Sequence, residues 1–326
     1  CEKHAKTLTA PQGWQLIRHV AVPRQESQND TTESTGDMPL NQIVKSYDVR
    51  GLVGSQLTSA VVSALAAAFV DEVGAAGRDV IVGHDMRDSS PEFVDAFAQG
   101  AQARGANVVS IGLCSTDESY FASGFLDAPA AMFTASHNPA EYNGIKFCLS
   151  GARPVGIDTG LTEIREVVKE VLRGTAPSTS VRGSYAQRNM LDAFADHVVS
   201  FIDIASLSPM KVVADTANGM GGLIVPVVFE RLPMMELEVM YPELDGSFPN
   251  HPADPIQPSN QRDLQARVIS GGFDIGLAFD GDADRVFVVD EKGRGLSGSS
   301  TTAILAAGVL RANPGATVLH NLICSR

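Results

Sequence analysis

The sequence predicts an α/β protein built from tandem domains, each with a mixed sheet sandwiched by helices. Continuous apolar runs of strand length, such as residues 79–83 and 130–133, alternate with helix-length amphipathic segments. This alternation is typical of parallel or mixed sheets that are covered on both faces. The chain has 326 residues, which is more than one average domain holds. We therefore expect at least two α/β units.

The first unit is predicted over residues 41–175, after a leader at 1–40 that is expected to be disordered. The stretch 24–37 has few apolar side chains, so burial there could not offset the entropy lost on ordering. Order should begin with a short strand near Ile43. The elements expected after it are helices at 58–74, 91–104 and 161–172, and strands at 79–83, 107–111 and 130–133. A turn expected at 142–147 leads into a further strand.

The second unit is predicted over residues 185–294, beyond a polar linker at 173–180. Its expected elements are helices at 191–204, 222–229 and 261–270, and strands at 211–214, 274–278 and 286–289. A third unit, at 295–326, starts with a helix at 300–312 and a strand without a partner at 317–322. The chain begins with Cys1 rather than methionine and stops soon after that strand. It is therefore expected to be a fragment, truncated within the third unit.

Charge and cysteine content narrow the functional classes. The formal net charge is −13, which disfavours nucleic acid and anionic membrane as partners because both require a basic face. The four cysteines are sparse and unpatterned, as expected of reduced thiols in a cytoplasmic protein. We find neither a signal peptide nor an apolar run of membrane-spanning length. Nothing in the sequence indicates an oligomeric state.

An acidic loop near the C-terminal end predicts a metal site. Asp280, Asp282 and Asp284 alternate around one glycine and are followed at once by Arg285. Closely spaced carboxylates repel one another unless a cation lies among them, and Mg²⁺ prefers oxygen ligands. A solvated acidic turn without a metal is one alternative. An EF-hand is the other, since Glu291 would fill its twelfth position. The EF-hand fails because the sixth position requires glycine and is Arg285 here.

A second polar loop presents a candidate nucleophile. Ser136 follows the apolar run 130–133 and is succeeded by His137, Asn138 and Pro139. Ligands of α/β sheets bind at the carboxyl ends of strands, where this loop and the acidic loop both begin. An ordinary turn serine remains an alternative, and His137 could be a structural hydrogen-bonding residue. A serine hydrolase is disfavoured because no G-x-S-x-G elbow surrounds Ser136.

Two further features have competing interpretations. Residues 215–222 resemble a glycine-rich dinucleotide loop but do not complete G-x-G-x-x-G, so a tight strand-to-helix turn is the favoured interpretation. Arg50 and Lys146 could be solvated surface charges or cations of an anion-binding site.

In these motifs the chain resembles the α-D-phosphohexomutases, the family of phosphomannomutase and phosphoglucomutase, and most of all their bacterial members. The resemblance runs from about residue 45 to the end of the chain. It rests on the segments YDVRG at 47–51, GHDMR at 83–87, TASHNP at 134–139, YNGIK at 142–146, FPNH at 248–251 and DGDADR at 280–285. It implies that the two units are phosphohexomutase domains 1 and 2 and that the third is the start of domain 3.

The resemblance also implies a mechanism and its residues. Ser136 would carry a phosphoryl group and would complete the Mg²⁺ shell together with Asp280, Asp282 and Asp284. The phosphoryl group would pass to a hexose, and a hexose 1,6-bisphosphate would return its other phosphate, so that hexose 6-phosphate and 1-phosphate interconvert. The same bisphosphate would act as activator. The residues implied in charge stabilisation and proton transfer are Arg50, His137 and Lys146, and those implied in positioning the phosphoserine and substrate are Tyr47, Asn138 and Arg285.

Several points stay open from sequence alone. Lys146 would be the better base if nearby cations lowered its pKa. Mannose is the favoured sugar and glucose the second possibility. The given sequence does not decide between them, because the family's sugar-reading and phosphate-binding loops lie in domains 3 and 4. The fragment is therefore expected to lack full mutase activity. A catalytically inert phosphoprotein or metal-binding module and a Mg²⁺-dependent sugar phosphatase are the alternative functions.

Overall fold

A computed structural model describes residues 40–175 and 181–319. The described residues between 40 and 297 form one compact unit. Within the described part of that unit the strands form two sheets, the first made from residues before 188 and the second from residues after 209. The α/β class with tandem mixed sheets is confirmed.

The first sheet is antiparallel at one margin and parallel across the rest. Its strand order is β1-β5-β4-β2-β3-β7, with β6 paired to β5. The strands are β1 (Val49–Leu52), β2 (Asp79–His84), β3 (Asn107–Leu113), β4 (Ala130–Phe133), β5 (Tyr142–Leu149), β6 (Arg153–Pro154) and β7 (Tyr185–Gln187). β2 is parallel to β3 and β4, whereas β5 is antiparallel to β1 and β4. The antiparallel return of β5 brings its residues beside the end of β4.

Helices cover the first sheet because its strands are apolar on both faces. They are α1 (Leu40–Ile43), α2 (Ser59–Glu72), α3 (Ser90–Ala103), α4 (Thr116–Leu126) and α5 (Leu161–Leu172). The side chain of Thr58 accepts a hydrogen bond from the Val61 amide and starts α2. Phe69 of α2 then stacks on Phe147 of β5, with ring centroids 4.5 Å apart. This aromatic core fixes the strands whose ends carry the polar loops.

The second sheet has the order β11-β10-β8-β9 and is parallel except for β11. Its strands are β8 (Met210–Asp215), β9 (Met235–Met240), β10 (Ile275–Phe279) and β11 (Val286–Asp290). Its helices are α6 (Leu191–Val199), α7 (Gly221–Phe229) and α8 (Arg262–Gly271). The acidic loop joins β10 to the antiparallel β11, as the sequence predicts.

Several elements differ from the sequence-based expectation. The chain near Ile43 is a short helix rather than a strand, and the expected turn at 142–147 is part of β5. β7 pairs with β3, so the residues near 185 that were assigned to the second domain lie in the first sheet. α4, β6, β7 and β9 were not predicted. The expected disordered leader lies outside the described residues apart from Leu40, and so does most of the linker.

Little of the predicted third unit is described. Its helix is confirmed as α9 (Gly298–Ala312), which belongs to a second compact unit and is considered by itself. Residues 317–319 are not in a strand, and the rest of the predicted strand lies outside the described residues. None of the helices described at 40–175 and 181–319 has the length and apolar character needed to cross a membrane. Cys114 and Cys148 are buried free thiols.

A partly buried ion pair closes the end of β8. His251 donates from Nε2 to Asp215 Oδ2 at 3.0 Å and from Nδ1 to the Pro252 carbonyl at 3.0 Å. Two donated bonds require both ring nitrogens to be protonated. Burial disfavours the charge of His251, but its bond to Asp215 outweighs this and raises the pKa of the imidazole.

This pair predicts a pH-dependent stability. A histidine whose pKa is raised in the folded state stabilises fully below its unfolded value, ordinarily 6.5, and loses that contribution as the pH rises through the folded pKa. We expect the free energy of unfolding to fall above about pH 6.5, and His251→Gln to flatten this part of the profile. Denaturant titrations from pH 5.5 to 8.5 would measure both. Parallel profiles for the two proteins would contradict the assignment.

Candidate active site

The loop after β4 holds Ser136 in an unusual backbone conformation. Ser136 has φ +50°, in the left-handed region that non-glycine residues seldom occupy. Its amide donates to Thr134 Oγ1 at 2.8 Å, and the residue is only 3% exposed. Such strain persists where the surroundings hold it, and it is common at functional sites. Here it turns the Ser136 hydroxyl toward the second sheet.

The acidic loop meets this hydroxyl directly. Ser136 Oγ donates to Asp280 Oδ2 at 2.8 Å. The backbones also touch: a Cβ on Gly281 would lie 2.5 Å from the Ser136 carbonyl oxygen, and one on Gly219 would lie 2.6 Å from the Gly281 carbonyl oxygen. Only glycine permits this approach at the two positions. Loops of both sheets therefore share one site.

The three aspartates can hold a cation. Carboxylate oxygens of Asp280, Asp282 and Asp284 lie within 4.8 Å of one another. Asp280 and Asp282 are fully buried, and Asp282 Oδ1 has no hydrogen-bond partner among the described residues. A buried carboxylate oxygen without a partner is costly unless a ligand satisfies it. This donor set fits Mg²⁺, for which the residues Asp280, Asp282, Asp284 and a phosphorylated Ser136 would supply oxygen ligands.

Two cations balance the carboxylates in part. Lys146 Nζ on β5 lies 2.7 Å from both Asp282 Oδ2 and Asp284 Oδ2, and Arg285 Nη2 lies 2.5 Å from Asp280 Oδ2. Burial, reinforced by the charges of Asp282 and Asp284, raises the pKa of Asp280 to about 7. Burial also opposes the ionisation of Asp282, but Lys146 outweighs it and holds the pKa of that carboxyl below its usual range. Charge in this loop is thus incompletely neutralised.

The condition under which Lys146 was expected to act as a base does not hold. Burial alone would lower the pKa of Lys146, but the adjacent Asp282 and Asp284 reverse the effect and raise it. The neighbours that matter are anions rather than the cations expected from the sequence. In this arrangement Lys146 is a fixed positive charge.

His137 is the better candidate for proton transfer. Its Nδ1 accepts a hydrogen bond from Arg285 Nη2 at 2.7 Å and lies 3.4 Å from Ser136 Oγ. Arginine can only donate, so the ring proton of a neutral His137 lies on Nε2. Burial and then the charge of Arg285 lower the pKa of His137, which favours the neutral form.

The remaining predicted residues lie around the serine loop. Arg50 on β1 donates from Nη1 to Asn138 Oδ1 at 2.5 Å and from Nη2 to Asp48 Oδ2 at 2.5 Å. Its Nε is buried without a partner among the described residues. Tyr47, two residues before β1, is 64% exposed. The structure therefore brings Arg50 and Asn138 together beside Ser136, while the contact of Tyr47 with a substrate stays a prediction.

Sequence reasoning missed a residue that builds the loop. Arg87 is 2% exposed and pairs with the buried Asp85. Its guanidinium also donates to four main-chain carbonyls of the loop, at 2.6–2.9 Å, which are those of Ser136, Asn138, Pro139 and Tyr142. The motif GHDMR at a strand end was the signal, but it does not reveal that the arginine points inward.

Comparisons with known proteins agree with this architecture. Residues 41–173 match the family model of phosphoglucomutase/phosphomannomutase, alpha/beta/alpha domain I, and residues 192–294 match domain II. The phosphomannomutase of Escherichia coli strain K12 is 36% identical over 282 residues, covering 85% of this chain and 61% of the relative. The phosphomannomutase/phosphoglucomutase of Pseudomonas aeruginosa is 36% identical over 286 residues, covering 87% and 60%.

A solved structure shows the same fold. A phosphoglucomutase/phosphomannomutase family protein of Burkholderia thailandensis superposes with a TM-score of 0.74 at 34% identity, covering 84% of this chain and 60% of that one. Fold and site thus define a tandem α/β protein in which a serine loop faces an acidic loop. The chain belongs to the phosphoglucomutase/phosphomannomutase family, and the resemblance found in the sequence is confirmed. It spans about three fifths of the length of these relatives.

Proposed function

We propose that this chain carries the phosphoryl-donor site of a hexose phosphate mutase that interconverts hexose 6-phosphate and hexose 1-phosphate. The observation that supports it best is the position of Ser136 Oγ, 2.8 Å from Asp280 Oδ2 and 2.5 Å from Arg285 Nη2. A serine at this point is held between a candidate metal loop and a guanidinium, both of which stabilise phosphate oxygens.

The proposed transfer moves one phosphoryl group from Ser136 to a hexose hydroxyl. A hexose hydroxyl attacks the phosphorus of phosphorylated Ser136, the bond from phosphorus to Ser136 Oγ breaks, and a hexose bisphosphate forms. The hydroxyl proton passes to Nδ1 of neutral His137, our candidate base, after Arg285 Nη2 has turned from that nitrogen to the phosphate oxygens, and from Nδ1 to the departing Ser136 Oγ. Mg²⁺ held by the acidic loop would stabilise the charge of the transferring group. The bisphosphate then returns its other phosphate to Ser136, which restores the donor and completes the isomerisation.

The supporting residues have separable tasks. Lys146 and Arg285 supply positive charge beside the acidic loop. Arg50 holds the side chain of Asn138 and thereby the rim of the loop. Tyr47 is a candidate substrate contact because its ring is exposed. Mannose is the proposed sugar because relatives of this chain are phosphomannomutases, and glucose is the second because the Pseudomonas aeruginosa relative is named for both.

A half-reaction tests the proposal on the chain as it stands. We expect incubation with Mg²⁺ and phosphate-labelled mannose or glucose 1,6-bisphosphate to transfer one phosphate per chain to Ser136 and to release a hexose monophosphate. Intact mass, peptide mapping and sugar-phosphate chromatography would measure the three quantities. Continuous release of inorganic phosphate without a phosphorylated chain would favour the phosphatase alternative. Uptake at another residue, or no uptake, would overturn the proposal.

A further inference from the structure

We propose that Thr116 is a positioning residue that orients the Asp282 carboxylate so that its Oδ1 atom faces the bound cation. The inference rests on the proposed function, because it presumes Mg²⁺ in the acidic loop. It adds a residue of the first domain, outside every motif singled out in the sequence, to the site.

Thr116 binds Asp282 at two points. Its amide donates to the Asp282 carbonyl oxygen at 3.1 Å, and its hydroxyl donates to Asp282 Oδ2 at 2.6 Å. Both residues are fully buried. A main-chain bond and a side-chain bond together fix the position of Asp282 and the rotation of its carboxylate.

The bonds to Asp282 leave one oxygen for a ligand. Oδ2 accepts from Thr116 Oγ1 and also from Lys146 Nζ at 2.7 Å. Oδ1 is buried and has no hydrogen-bond partner within residues 40–175 and 181–319. Because Oδ2 is already occupied twice, Oδ1 is the atom left to bind the metal.

The start of α4 makes Thr116 rigid enough for this task. Ser115 caps the helix by accepting the Glu118 amide at 3.0 Å, which places Thr116 in the first helical position. The Thr116 amide, which has no partner inside a helix at that position, is the one given to Asp282. The β-branched side chain is also restricted at χ1.

Thr116 and Lys146 are not equivalent partners. Lys146 Nζ is shared between Asp282 and Asp284 at 2.7 Å each. The single hydroxyl proton of Thr116 is committed to Asp282, and it adds no charge that would compete with the cation. Outer partners of this kind keep metal ligands oriented, and their loss typically weakens metal affinity by about 10–100-fold.

The test compares isosteric variants by calorimetric titration with Mg²⁺. Thr116→Val removes the hydroxyl and should weaken Mg²⁺ binding by about 10–100-fold, whereas Thr116→Ser should stay close to the unmodified chain. Thr216→Val is the matched control: Thr216 is equally buried, but its hydroxyl donates to the carbonyls of Met240 and Tyr241. It should leave Mg²⁺ affinity unchanged. Thermal unfolding without metal checks that all variants fold.

The outcomes separate the inference from the function on which it rests. Unchanged Mg²⁺ affinity in Thr116→Val, or an equal loss in Thr116→Ser, would show that the hydroxyl does not orient Asp282. Phosphorylation of Ser136 with no Mg²⁺ binding by any of the proteins would overturn the metal site and this inference while leaving the donor serine in place. Failure to phosphorylate Ser136 alongside the expected order of Mg²⁺ affinities would overturn only the proposed function.

Discussion

Replacing Ser136 by alanine should leave the chain unable to accept phosphate from a hexose 1,6-bisphosphate. The hydroxyl is the proposed attacking atom, and loss of a nucleophile lowers rates by orders of magnitude, here at least about 10³-fold. The fold should survive the substitution. The two shortest side-chain hydrogen bonds of the hydroxyl are to Asp280 and Arg285, and these two residues also bind each other directly. Quantitative mass spectrometry of the chain after incubation would measure the loss.

A control variant tests whether removing any serine hydroxyl lowers phosphate uptake. Ser150 lies on the turn after β5 and bonds Asp127, far along the chain from the acidic loop. Ser150→Ala should take up phosphate at the normal rate. Normal uptake by Ser136→Ala would transfer the donor role to another residue.

The second large effect is expected from Arg87→Met, which should lower the free energy of unfolding by about 3–5 kcal/mol. The substitution leaves Asp85 buried without its charged partner, and burial already raises the pKa of that carboxyl. It also strips a donor from four loop carbonyls. Chemical denaturation would measure the loss. Arg294→Met is the control, since Arg294 is 68% exposed and its pair with Asp290 is screened by solvent.

Arg87→Lys separates stability from function. Lysine can keep the charge beside Asp85 but cannot direct five donors in a fixed fork. We expect a folded protein whose rate of Ser136 phosphorylation falls about 10²-fold, as small misplacements can cause, with little change in the bisphosphate concentration needed for half-maximal rate. A rise in that concentration instead would indicate that Arg87 contacts the sugar phosphate, contrary to its complete burial.

The sequence predicted much of the fold because the signals were local. The strands predicted at 79–83 and 130–133 correspond to β2 and β4. The strand predicted at 274–278 corresponds to β10, whose bounds differ from the prediction by one residue at each end. The two motif loops also followed the strands that the pattern implied. Phosphorylation of Ser136 and metal binding by the three aspartates stay predictions, although the geometry supports both.

What the sequence did not predict depends on contacts distant along the chain. α4 was missed because the segment TDESYFASGFL lacks a continuous apolar stripe, and with it Thr116 was missed. β7 was not predicted, and residue 185 was placed at the start of the second domain, because three exposed residues contain no information about which strand they join. The anions around Lys146 are brought there only where the two sheets meet. The inward turn of Arg87 depends on carbonyls that lie 49–55 residues further along the chain.

The glycine contacts between the loops have a consequence for motion. Gly219, Gly281 and the Ser136 carbonyl are stacked so closely that no side chain, and no water layer, fits between them. The two sheets cannot slide past each other at this point without breaking the contact of Ser136 with Asp280. A relative movement of the two sheets at this point would therefore cost the candidate nucleophile its carboxylate partner as well as its backbone contact with Gly281.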